Sequence, residues 1–205
     1  MLTNNYHEVN KLKSKIRTTD LVLVAMFAAL MAIGANVTSF LVIGSVPITL
    51  QTLFSILAGA LLGRRLGALA MTVYLLVGLV GFPVFAQFSG GLRTLVSPTF
   101  GFLLSYILVS YVTGLIIEKS KEKKLATFLL ACFAGLIINY VLGTHYMYFA
   151  FQVLANLEAV SYTIVWSWMA APLVKDIILT IFASVLSVRI YSTVRRSQHS
   201  PKQIA

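Results

Sequence analysis

Residues 99–146 read TFGFLLSYILVSYVTGLIIEKSKEKKLATFLLACFAGLIINYVLGTHY, two apolar runs joined by the charged stretch EKSKEKK at 118–124. Each run approaches the about 20 apolar residues that an α-helix needs to cross the hydrocarbon core of a bilayer. The joining stretch is too short and too charged to be buried. The pattern predicts two antiparallel membrane helices joined by a basic loop.

The same pattern extends both ways. Only 11% of the 205 residues are charged and 59% are hydrophobic. Soluble domains carry about 25% charged residues, so lipid must be the main solvent of this chain. Helices are expected at 19–41, 50–62, 68–80, 99–117, 125–146 and 171–191, an all-α bundle of six spans. Breaks fall at 44–49 and 81–98, where Gly and Pro interrupt the apolar pattern, and at the basic turn Gly63-Arg64-Arg65-Leu66-Gly67. The 50–62 segment is short for a span and is expected to tilt or enter partway. The expected organisation is a basic tail at 1–18, a membrane domain at 19–191 and a polar tail at 192–205.

Fourteen of the sixteen Lys and Arg residues lie in the N-terminal tail, the 63–67 turn, the 118–124 loop and the C-terminal stretch from Arg189 onward. This is the positive-inside distribution, and it puts both termini in the cytoplasm. It also accounts for the net charge of +10 without nucleic acid, since anionic headgroups satisfy basic clusters at helix ends. The run after Lys11, Lys13, Lys15 and Arg17 is read as a span and not a cleaved signal, because no small-residue cleavage site follows it.

The two remaining cations, Arg93 and Lys175, are the basic groups available for chemistry. Arg93 sits in a loop shaped by Gly90, Gly91 and Pro98. Its planar fork suits a carboxylate, although a headgroup contact would also hold it. Lys175 adjoins Asp176 near the start of the last span, and an ionisable residue in a span marks a functional site by default. Pro172, Asp176, Thr180, Ala183 and Ser187 fall on one helical stripe, which should face the bundle interior. Lys175 lies about 100° round the helix. A direct Lys175–Asp176 pair is therefore expected to be poor, with Lys175 snorkelling to the interface and an Arg93–Asp176 ion pair as the structural alternative. Asn139 is an amide in mid-span that needs a partner. Gln87, Tyr140 and nearby aromatics could line a pocket that orients a ligand. Ala25, Ala28, Ala29, Ala32 and Ala35 share one face of the first helix, which fits close packing inside the bundle or docking on another membrane subunit.

No Walker A motif, metal-spaced His or Cys pair, or catalytic triad is visible, so neither an enzyme nor a self-powered pump is expected. The single cysteine, Cys132, excludes an intramolecular disulfide.

The segments VPITLQT (46–52), LLVGLVGFPV (75–84), SGG (89–91) and PTFGF (98–102) closely resemble the BioY family, the biotin-specific S-components of energy-coupling factor (ECF) transporters. The resemblance is strongest over 46–105. It implies a six-helix S-component in a bacterial plasma membrane that captures biotin from outside and topples to carry it across. It also implies a T component docked on Ala25, Ala29 and Ala32, and two cytoplasmic ATPases that use ATP while this chain binds no cofactor or metal. Biotin offers a carboxylate, an apolar ring and a ureido head. Arg93 would take the carboxylate, and Asp176 with Asn139 the ureido group. Lys175, Gln87 and Tyr140 complete the expected site, and Gly90 and Gly91 would let the loop approach the ligand. Another small anionic vitamin is the alternative substrate, and a membrane enzyme or scaffold the remoter one. One departure stands out: the family usually reads Pro-x-x-Gly-Asp-x-x-Lys here, whereas Lys175 takes the glycine's place and Leu179 the lysine's.

Overall fold

The computed structural model describes residues 17–44, 46–154 and 160–199. Among the described residues, all but a hairpin of two short strands and the connecting turns and loops is helical, and five helices are long and apolar enough to cross a membrane. The expected basic tail at 1–18 falls almost wholly outside the described residues.

Helix α1 spans Thr18–Asn36. Asp20 accepts a hydrogen bond from the Arg17 backbone N–H at 2.9 Å, which places its charge against the positive end of the helix. The helix stops five residues before the expected boundary at 41. Asn36 turns its side chain back to the Ala32 carbonyl, 2.9 Å away, and Ser39 Oγ donates to the Asn36 carbonyl. Such local bonds offer the backbone an alternative to the helical ladder. Strands β1 (Val42–Ile43) and β2 (Val46–Pro47) then pair antiparallel. Thr38 Oγ1 ties this hairpin down by donating to the Ile48 carbonyl at 2.7 Å.

Helix α2 spans Gln51–Val80, with a break at Gly63 (φ 82°, ψ 174°). A side chain there would be strained, so only glycine makes the turn freely. The limbs 51–62 and 64–80 fold back on each other. Gln51 Nε2 donates to Tyr74 Oη at 2.8 Å, although an unbroken helix would separate residues 23 apart by roughly 35 Å. Glycine permits the contact, since a Cβ on Gly67 would lie 2.9 Å from the Ala58 and Gly59 backbones. Glu118 locks the turn. Its carboxylate accepts from the Arg64 backbone N–H at 2.8 Å and pairs with Arg64 Nε at 3.1 Å.

Short 3-10 turns at Ala86–Phe88 and Leu92–Val96 occupy the expected break at 81–98. Helix α3 (Phe100–Lys119) and helix α4 (Leu125–Phe149) flank the charged loop, and α4 runs on into a π-turn at Ala150–Leu154. Helix α5 spans Tyr162–His199 and contains Pro172. The sequence places its start near 171, because an aromatic stretch followed by proline reads as a connection. In the fold the aromatics are helical and stack edge-on: Tyr162 on Trp166 at 6.2 Å and on Tyr148 at 5.4 Å. Proline inside a membrane helix is tolerated where neighbouring groups satisfy the freed carbonyl.

Phe27, Met31, Ile56, Met71, Tyr74, Val109 and Cys132 form the core between the helices. Cys132 is buried there as a packed thiol. The interior stripe of α5 is as the spacing requires, with Pro172, Asp176, Thr180, Ala183 and Ser187 all buried. Ala25 and Ala29 instead face outward from α1, Ala32 is half-buried and Ala35 fully buried.

Candidate ligand-binding site

A cavity of about 490 Å³ opens at the end of the bundle opposite the Arg64–Glu118 turn. Its size is within the usual range for small-molecule sites, about 300–1,000 Å³. The start of α2, the 81–99 loop, the first half of α3, the middle of α4 and the 169–176 stretch of α5 all contribute. Phe85, Phe102, Leu103, Tyr106 and Met169 form apolar walls. Phe102 stands edge-on to Tyr140, with ring centres 6.5 Å apart.

Asp176 lies at the inner end, almost fully buried. Oδ2 accepts a hydrogen bond from Tyr140 Oη at 2.8 Å. Lys175 Nζ sits 2.8 Å from Oδ1, yet Oδ1 receives no aligned hydrogen bond. That oxygen is sealed from solvent and is balanced by the charge of the lysine. Lys175 also donates to the Thr49 carbonyl. The pairing corrects two expectations: Lys175 does not snorkel outward, and Asp176 pairs with its neighbour and not with Arg93. Adjacent residues do point 100° apart, but the four-carbon stem of lysine spans that arc once the Thr49 carbonyl draws its head inward.

Asn139 is buried beside them. Its Oδ1 accepts from Ser105 Oγ at 2.7 Å, and its Nδ2 donates to Thr52 Oγ1 at 3.3 Å. A third polar line runs from Thr49 Oγ1 to Gln51 Oε1 (3.0 Å), from Gln51 Nε2 to Tyr74 Oη (2.8 Å), and from Tyr74 Oη to the Val84 carbonyl (3.1 Å). This line couples the cavity wall to the loop above it.

Arg93 and Gln87 line the mouth. Arg93 makes no ion pair or hydrogen bond among the described residues. Gln87 and Phe88 both hold left-handed backbone conformations, φ 59° and 53°, which non-glycine residues rarely adopt. They are held from the end of α1 and the turn after it: the Gln87 N–H donates to Ser39 Oγ at 3.1 Å and the Phe88 N–H to Asn36 Oδ1 at 2.7 Å.

The cavity thus gathers Arg93, Asp176, Asn139, Lys175, Gln87 and Tyr140 from three segments, the 81–99 loop, α4 and α5. Gly90 and Gly91 do not line it. They fasten the loop to α2: the Gly91 N–H donates to the Gly78 carbonyl at 2.8 Å, and a Cβ on Gly90 would collide with the Phe82 carbonyl. Thr49, Gln51, Thr52, Ser105 and Tyr106 escape a reading by residue type. An amide in an apolar segment needs a partner, and Gln51 is such an amide as much as Asn139 is.

The family model described as the BioY family matches residues 8–196. The chain belongs to the BioY family. Among BioY relatives, BioYB of Bacillus subtilis (strain 168) is 40% identical over 186 residues, covering 89% of this chain and 92% of that one. The biotin transporter BioY of Thermotoga maritima is 35% identical over 171 residues, covering 83% and 95%. The fold is also that of a solved S-component for biotin from an ECF-type ABC transporter. The TM-score is 0.62 at 22% identity, over 88% of this chain and 95% of that structure. Against the usual BioY pattern, the lysine here stands before the aspartate. Positions 175 and 179 are one helical turn apart on the same face. Leu179 packs against the core, and Lys175 carries the charge into the cavity.

Proposed function

We propose that this chain is the biotin-binding S-component of an ECF-type vitamin uptake transporter, and not an enzyme. The observation that carries the reading is the charge arrangement of the cavity. One cation, Lys175, is matched by Asp176, and the other, Arg93, has no partner among the described residues. The excess of one positive charge at the mouth suits a ligand with one carboxylate. Asp176 and Asn139 both line the cavity, and in this reading they serve the ureido head. The aromatic walls suit the fused rings between the two ends.

In this reading the two limbs of α2 count as separate membrane segments. The bundle then has six, with both termini on the cytoplasmic side of a bacterial plasma membrane and the cavity facing out. The outward Ala25 and Ala29, with half-buried Ala32, offer a surface on which a T component can pack closely. Two ATPases on that component would supply the energy from ATP, with no cofactor or metal held by this chain. Titration calorimetry of the detergent-solubilised protein tests the ligand. Tight one-to-one binding of biotin, with none of thiamin or riboflavin, is expected. A folded protein that binds no biotin rules the reading out.

A further inference from the structure

The end of the bundle that holds the cavity mouth is covered by apolar side chains. Phe40 is 74% exposed, Val80 79%, Phe88 70% and Leu92 70%. Segments 37–50 and 81–99 carry one charged residue between them, Arg93. Loops that meet water are normally polar, and exposed apolar surface of this kind marks an interaction site.

These side chains continue the lipid-facing flanks of two helices. On α1, Ile33 and Val37 are exposed one turn apart and lead to Phe40. On α2, Leu76 and Val80 do the same and lead to Phe82. The loops are also built and not slack. The Asn36–Phe88 and Gly78–Gly91 hydrogen bonds hold Phe88 and Leu92 at the helix ends. At the other end of the bundle, the 63–67 and 118–124 turns are basic and pair with Glu118 and Glu122.

We infer that the loop surface around the cavity mouth docks into the acyl chains of the leaflet on that side, so that the mouth opens at the lipid–water boundary and not above it. Arg93, the one charge of these two segments, then reaches the aqueous boundary, as a long basic side chain can while its stem stays in apolar surroundings. The occupant is lipid because the patch is continuous with a surface that lipid already covers. The inference rests on the membrane-spanning helices and holds whichever ligand fills the cavity.

Nitroxide labels test it on the full chain in lipid nanodiscs. They are placed at Phe40→Cys, Phe88→Cys and Leu92→Cys in a Cys132→Ala background. Collision with oxygen, which partitions into hydrocarbon, is compared with collision with a water-soluble nickel chelate. Leu76→Cys serves as the lipid control and Lys121→Cys as the water control. The loop labels are expected to match Leu76→Cys, rich in oxygen and poor in nickel contacts. Nickel accessibility like that of Lys121→Cys would overturn the inference. Mutual broadening of the labels at low accessibility to both reagents would also overturn it, by putting a second copy of the chain on this face. Three sites keep the test intact if the Phe88 variant disturbs its loop.

Discussion

Asn36, the last residue of α1, accepts the backbone N–H of Phe88 at 2.7 Å across 52 positions of sequence. One side chain therefore joins the helix bearing the exposed alanines to the loop at the cavity mouth. It also holds a strained conformation: two consecutive left-handed residues cost of order 1–3 kcal/mol each and persist only where the surroundings insist on them.

Removing the acceptor should release that loop. Asn36→Ala is expected to weaken biotin binding by about 0.5–1.5 kcal/mol, roughly a two- to twelvefold rise in Kd, as the loss of one anchoring hydrogen bond predicts. Calorimetry on Asn36→Ala measures this directly. An unchanged Kd would mean that the loop holds its shape without α1.

Arg93→Ala should cost about 2–5 kcal/mol of biotin binding, the range for truncating one partner of a close charge pair. The comparison that isolates its role uses the biotin methyl ester. The ester should bind wild type and Arg93→Ala alike, since it has no carboxylate to lose. A loss for the ester as large as that for biotin would assign Arg93 to the shape of the mouth and not to charge recognition.

Breaking the Lys175–Asp176 pair should destabilise the fold. Lys175→Met leaves a buried carboxylate unpaired, which costs about 3–5 kcal/mol in a fully buried site. The lower end is expected, because the Lys175 side chain is 25% exposed. The double variant Lys175→Met/Asp176→Asn should regain most of the thermal stability in detergent and still bind biotin poorly. Recovery of both would show that the pair serves folding alone.

Gly63→Ala places a Cβ at φ 82°, ψ 174°, a backbone region essentially confined to glycine. The substitution should lower stability by about 1–3 kcal/mol. Thermal unfolding of Gly63→Ala reads the loss, and a wild-type midpoint would mean that the α2 turn re-forms with other dihedrals.

Much of the architecture is legible in local composition. The loop at 118–124 and the apolar runs beside it locate α3 and α4 to within a few residues, because partition between water and lipid is a property summed over a short window. The inward stripe of α5 follows from helical spacing alone. Asn139, Asp176 and Arg93 stand out because polar groups are rare in spans and shaped loops.

The rest is set by groups far apart in the chain. Lys175 looks outward on a bare helix and turns in only because the Thr49 carbonyl, 126 positions away, receives it. Gln51 is an unremarkable helix start until Tyr74 comes back to meet it across the Gly63 turn. Gly90 and Gly91 look like a ligand-hugging pair, yet they fasten the loop to Phe82 and Gly78. Helical span and burial depend on each residue's own transfer free energy, which a window of sequence contains. The direction of a flexible side chain and the partner of a buried polar group depend on which distant backbone atoms packing delivers to within about 3 Å, and only the folded chain supplies those.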